Sequence, residues 1–272
     1  LIQFMVFGSQ MLVAGLLLPE DLGRIKVLQT FVDVASIIGG GGLIVAILKI
    51  VPESPDYSIR NYVLRYVLKN VLLFSTIVFV ALNILAIFQL LSTDNLINQY
   101  FHLFSTIILI SPISLVMVRY YQARELFKKV SIIQFITKFV SVSLIFFLTY
   151  TFSTQGYLSA VVLGFFISGI YLLIDLRKHI FVKPNMKQEI KGLKQRINHL
   201  SKFNFYGQVS DQLRIYSTFF VANYLILDRE VFGQYSFALI LIQGFGILSS
   251  SIQQFVIPKF SKDSGKGVIF FT

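Results

Sequence analysis

Apolar residues in this chain come in long blocks, not in alternation, and short polar segments cut the blocks at intervals. A helix that crosses a bilayer needs about 20 mostly apolar residues. The blocks at 1–18, 25–48, 71–91, 101–118, 130–150, 157–176, 203–227 and 231–258 meet or approach that length. The pattern therefore predicts an all-α, polytopic transmembrane helical bundle of about eight spans. The seventh block contains Asp211 and Arg214, and its uninterrupted part, 215–227, is too short to cross alone. The helix must include the preceding segment, which puts both ionisable residues at membrane depth.

Composition agrees. Charged residues make up 14% of the chain, against about 25% in soluble domains, and mean hydropathy is +0.73. One aqueous core cannot bury so much apolar surface, so the excess belongs against lipid. Cysteine is absent, which excludes disulfides and thiolate metal sites. The net charge of +11 would suggest nucleic acid in a soluble protein. Here its placement explains it. Of 24 Lys and Arg residues, 19 fall in the connections after the second, fourth, sixth and eighth blocks. Arg24, Lys26 and Arg229 alone fall in the opposite set, while Lys138 and Arg214 lie within spans. Basic loops stay in the cytoplasm, so the alternation orients every span, assigns the protein to the inner (cytoplasmic) membrane and removes nucleic acid as a partner. Membrane lipids are the expected surroundings.

The polar connection 177–202 is the one sizeable linker. Within it Ile190, Leu193, Ile197 and Leu200 recur at helical spacing among basic residues. That predicts either an amphipathic helix lying on the cytoplasmic leaflet or a charged linker. On either reading the chain divides into a six-helix lobe at 1–176, a basic cytoplasmic linker at 177–202, and a further pair of spans at 203–272.

That further pair repeats the first. Glu20 and Gly23 after the first block align with Glu230 and Gly233 after the seventh, at an offset of 210, and Lys49 aligns with Lys259. A six-helix repeat, with the last two spans opening a second lobe, accounts for the spacing. Two stretches carry a resemblance as well. LLLPEDLGRIKVLQTFVDVASIIGGGGLIVAILKIVPE, 16–53, resembles the opening of Wzx-type polysaccharide flippases, which belong to the superfamily of multidrug exporters and the lipid II flippase. DQLRIYSTFFVANYLILDREVFGQYSFALILIQGFGILSSSIQQFVIPKFSK, 211–262, resembles the start of that family's second lobe. The resemblance implies two six-helix lobes around a central cavity, and translocation of an undecaprenyl-diphosphate-linked oligosaccharide for O-antigen, capsule or exopolysaccharide. A polysaccharide polymerase would be a partner. The expectation for this chain is one lobe and a truncated second, as a fragment at both ends or a gene disrupted after the eighth span. A multidrug or organic-cation antiporter of the same superfamily is the nearest alternative. A membrane polymerase or ligase is another, and a non-transporting structural protein a third.

No P-loop, G-x-S-x-G, H-E-x-x-H or Cys/His cluster occurs, so no enzyme activity, cofactor or metal is expected. His102, His179 and His199 lie near loops and are expected to be solvated. Gly39 to Gly42 sit within an apolar helix, where close packing or a hinge is expected instead of a phosphate cradle. An ionisable group at mid-membrane costs about 2.5–3.5 kcal/mol, so it faces a partner or a wet cavity. Arg214 fits paired hydrogen bonding to a lipid diphosphate, but equally a structural pair with Asp211 or snorkelling to the cytoplasmic edge. Lys138 is a second substrate-binding candidate, or a snorkelling lysine. Asp33, with Gln29 at i−4, is a candidate for coupling a proton or cation, as is Asp211, or else for a helix–helix hydrogen bond. Arg24 and Lys26 read as interfacial anchors. Pro112 should kink its helix.

Overall fold

The computed structural model describes residues 2–54, 56–92, 94–181, 189–226, 228 and 230–242. These residues are helical almost throughout, with no strand among them. The helices are α1 (Ile2–Leu16), α2 (Pro19–Gly40), α3 (Leu43–Glu53), α4 (Tyr57–Ile87), α5 (Asn95–Phe104), α6 (Ile107–Ala123), α7 (Phe127–Phe181) and α8 (Glu189–Leu225). A shorter apolar helix, α9 (Glu230–Ile242), follows. The remainder of the expected eighth span lies outside the described residues, as do Lys183, Lys187 and the tail after 242.

Among the described residues, three stretches are long and apolar enough to cross a membrane: Tyr57–Ile87, Asn95–Ala123 and Phe127–Arg177. The last is not one straight rod. A 55-residue helix would be about 83 Å long at 1.5 Å per residue, far beyond a bilayer core. Non-helical dihedrals at Phe152 and Ser153 break α7, and the chain doubles back. A Cβ on Gly156 would lie 1.8 Å from the Leu148 carbonyl oxygen, and one on Gly164 would lie 2.4 Å from Ser141 Oγ. Lys129 and Asp175 pair at 2.6 Å at the other end of the same two arms. The arms are antiparallel, and the turn falls in the expected 151–155 connection. Their outer faces, with Phe139, Phe147, Ile170 and Ile174, are exposed and apolar, as lipid contact requires.

The Gly39–Gly42 run does break its span. Gly41 (φ 55°) and Gly42 (φ 68°) are left-handed, a region that side chains disfavour. They bend α3 by 46° from α2. Close packing enforces glycine as well: a Cβ on Gly42 would sit 2.2 Å from the Ser201 carbonyl of α8. Pro112 lies inside α6, which continues through it to Ala123. The irregular hydrogen bonds, Ile108 N–H to Ser105 O and Leu109 N–H to Thr106 O, precede the proline and separate α5 from α6.

The linker needs correction. Its latter half is no helix lying on lipid. Residues from Glu189 onward run without interruption through 202–203 into α8. Ile197 is fully buried with Ile47, Val63 and Met117, and Leu193 and Leu200 pack beside it. Arg196 pairs with Glu53. The helical spacing was real, but it faces the lobe.

Two apolar cores result. One, at the basic end, joins α3, α4, α6 and the start of α8. The other, at the opposite end, gathers Leu22, Leu28, Phe101, Phe104, Phe219 and Phe232. There the two repeat-related turns meet, since a Cβ on Gly233 would fall 1.7 Å from the Pro19 carbonyl. Arg24 is no simple interfacial anchor. It pairs with Asp94 at 2.9 Å and Asp21 at 3.0 Å, while Lys26 is buried with its ammonium 5.5 Å from the Phe219 ring centroid.

Candidate functional site

Between the bend of α2–α3, the face of α6 and one side of α8 lies a cavity of about 580 Å³. Asp33 and Ser36 come from α2, Ile44 and Leu48 from α3, Ser111, Leu115 and Arg119 from α6, and Gln208, Gln212 and Tyr216 from α8. The α8 residues recur every four positions, which places them on one helix face. The bend at Gly41–Gly42 tilts α3, so the cavity has polar walls on α2 and α8 and an apolar wall on α3.

Two charged groups define it. The Tyr216 hydroxyl donates to an Asp33 carboxylate oxygen at 2.9 Å. Arg119 donates one guanidinium N–H to Gln122 Oε1 at 2.8 Å, which steadies the side chain one turn from the basic end of α6. Gln29, read as Asp33's neighbour, instead donates to the buried Tyr157 hydroxyl at 2.7 Å. At the opposite end, the packed turns and the ring cluster of Phe219, Phe232 and Tyr235 occlude the space between α2 and α8.

The four residues singled out from sequence are not brought together. Asp33 lines the cavity. Lys138 lies in a separate pocket of about 240 Å³ between α6 and the two arms of α7. Asp211 and Arg214 form a pair at 3.8 Å, with side chains 69% and 80% exposed. Arg214 is two residues from both Gln212 and Tyr216, and positions two apart on a helix do not share a face. Sequence reasoning missed Arg119, counted as a loop residue, and the row Gln208, Gln212, Tyr216. The four-residue recurrence of those polar side chains was the available signal.

The basic end holds a second polar cluster. His179 was expected to be solvated, but Tyr57 Oη lies 2.6 Å from its Nδ1 and Arg124 Nη1 lies 3.3 Å from its Nε2. The Tyr120 hydroxyl donates to Asn61 Oδ1 at 3.1 Å, and the Tyr120 ring packs 5.8 Å from the imidazole. Burial and the adjacent Arg124 charge hold the His179 pKa below its usual value, with Lys129 adding and Asp175 opposing. This cluster clips α4, α6 and the end of α7 together. Among the described residues no group of three or more His, Cys, Asp or Glu could hold a metal.

Compared with known proteins, residues 1–264 match a family model described as polysaccharide biosynthesis protein. No curated protein and no solved structure matches the chain.

Proposed function

The chain belongs to the polysaccharide biosynthesis protein family, that of the Wzx-type flippases, and from this premise we propose that it is a flippase for undecaprenyl-diphosphate-linked oligosaccharide in the cytoplasmic membrane. On this proposal it serves O-antigen, capsule or exopolysaccharide assembly beside a polymerase. It has about eight spans: a six-helix lobe at 1–176, and the opening helices of a second lobe from α8 onward, reached through a short basic connection. No bond is broken, and no cofactor takes part.

The observation that carries the reading is the cavity of about 580 Å³, lined by both Asp33 and Arg119 and bounded by α8, the first helix of the proposed second lobe. A guanidinium offers two parallel donors to phosphate oxygens, so Arg119 receives the diphosphate at the cytoplasmic end. The lipid tail remains in the bilayer, where it pays no desolvation. Asp33, released from Tyr216, takes up the coupling proton or cation.

The test is to express the gene encoding this chain in a strain that lacks its own flippase but makes the lipid-linked sugar. Restored surface polysaccharide, with loss of the accumulated cytoplasmic intermediate, supports the reading. Unrestored polysaccharide combined with new resistance to organic cations overturns it in favour of an antiporter.

A further inference from the structure

Lys138 sits on the first arm of α7, nine residues beyond Lys129, about 13 Å further along the helix axis. That is too deep for its ammonium to be counted among the cytoplasmic loops. Ser114, Gln134, Ser141 and Ser168 line its pocket beside Lys138, set among apolar neighbours such as Val118, Ile145 and Val161. The one aromatic contact, the Phe165 ring centroid at 5.9 Å, offers a weak partner for a cation. No carboxylate lines the pocket. The carboxylates of neighbouring elements are engaged elsewhere, Asp175 with Lys129 and Asp33 with Tyr216. Ser114 is 9% exposed, and its hydroxyl has no hydrogen-bond partner. A half-buried ammonium with no counter-charge in its pocket and a buried hydroxyl without an acceptor are each unfavourable. One anion between them satisfies both.

We propose that this pocket binds a small monovalent anion of the size and charge of chloride, held by the Lys138 ammonium and the Ser114 hydroxyl. Size argues against a lipid phosphate. The pocket holds about 240 Å³, and the α7 arms close against each other at Gly164 and Ser141, which leaves no slot there for acyl chains. The site is distinct from the transport cavity. Ser111, Leu115 and Arg119 of α6 face that cavity, whereas Ser114 and Val118 of the same helix face this pocket. The anion thus neutralises the interior of the first lobe and braces α6 from behind. This role does not depend on which molecule the cavity carries.

Equilibrium binding of radioactive chloride to the purified full-length protein in neutral detergent tests the proposal. Wild type should bind chloride, and unlabelled chloride or bromide should displace it while gluconate should not. Lys138→Gln should abolish binding, and Ser114→Ala should weaken it severalfold. Lys138→Arg, which keeps the charge, should retain it and guards against simple misfolding of the glutamine variant. Arg119→Gln should leave chloride binding intact. Loss of binding in Arg119→Gln but not in Lys138→Gln overturns the site, because the anion would then sit in the transport cavity. Displacement by phosphatidylglycerol but not by bromide overturns it in favour of a lipid headgroup. No chloride binding by wild type overturns it in favour of a neutral lysine or a water-filled pocket.

Discussion

Tyr216 on α8 donates its phenolic hydrogen to Asp33 on α2 across 2.9 Å, which ties together two helices 183 residues apart in sequence. A hydrogen bond to a charged acceptor contributes about 1.5–3 kcal/mol. Tyr216→Phe should therefore lower the heat resistance of the detergent-solubilised protein and leave its amount in the membrane nearly unchanged. Asp33→Asn keeps an acceptor for Tyr216 but cannot change charge. If Asp33 couples an ion, this variant should fold normally yet lose about tenfold or more in transport rate, ~1.4 kcal/mol at the barrier. Transport at the wild-type rate would reduce Asp33 to a helix–helix contact.

Gly42 is constrained twice, by its left-handed φ of 68° and by the Ser201 carbonyl where its Cβ would stand. The left-handed region alone costs an L-residue about 1–2 kcal/mol. Gly42→Ala should cost more than that, because α8 must also shift. Gly207→Ala is the control: nothing lies within 4 Å of a Cβ there, and alanine is favoured over glycine in a helix by about 1 kcal/mol. Thermal stability should fall clearly in the first variant and hold or rise in the second.

Topology can be read directly, because the chain has no cysteine. Single cysteines at Ser92 and at Thr151 should react with a membrane-impermeant thiol reagent added to intact cells. Cysteines at Lys69 and Lys128 should react only after the membrane is opened. Labelling of the Lys128 probe in intact cells would reverse the orientation inferred from the basic loops.

Acid should loosen the clip around His179. Its pKa in the folded protein lies below the ordinary value, chiefly through burial and then through Arg124. On acidification the unfolded chain therefore takes up a proton first. The stability supplied by the neutral ring is complete above the unfolded value of about 6.5. It is lost as pH falls through that value toward the folded pKa. Heat resistance of a fluorescently tagged protein should decline from pH 7.5 to 5.5. His179→Phe keeps a ring against Tyr57 and Tyr120 but has nothing to protonate, so its decline over that window should be shallower.

What the sequence made legible was what hydrophobic length and glycine chemistry determine. The α7 arms, their turn and the break at Gly41–Gly42 follow from local residues, whereas the first half of α4 reads as a basic loop because Arg60, Arg65 and Lys69 lie on it. Facing was harder. Hydropathy marks Arg214 and Lys138 as unusual because of their charge, but says nothing of the surface each presents. Arg214 lies two positions from the cavity row of α8, and Lys138 lies across α6 from that cavity. Arg119 was hidden by its place in a basic cluster near a helix end. The start of α8 was hidden likewise, since a lysine-rich stretch reads as linker until Ile197 is seen buried against α3 and α4.

Arg119 and Arg214 can be separated by experiment. Arg119 lines the cavity, whereas Arg214 is exposed and paired with Asp211 on another face of α8. Paired hydrogen bonds from a guanidinium to phosphate contribute about 1.5–3 kcal/mol, roughly tenfold to a hundredfold in binding. Arg119→Ala should therefore reduce surface polysaccharide severely at equal membrane abundance. Arg119→Lys should be intermediate, because lysine keeps the charge but loses the fork. Arg214→Ala should be mild, since an exposed ion pair contributes at most about 1 kcal/mol. Any deficit it shows should be repaired in the Asp211→Asn/Arg214→Gln double variant, where neither charge is left alone. The opposite pattern is just as informative. If Arg214→Ala fails as badly as Arg119→Ala and the double variant stays inactive, the outer face of α8 lines the substrate path in the working protein. The diphosphate contact then belongs to Arg214.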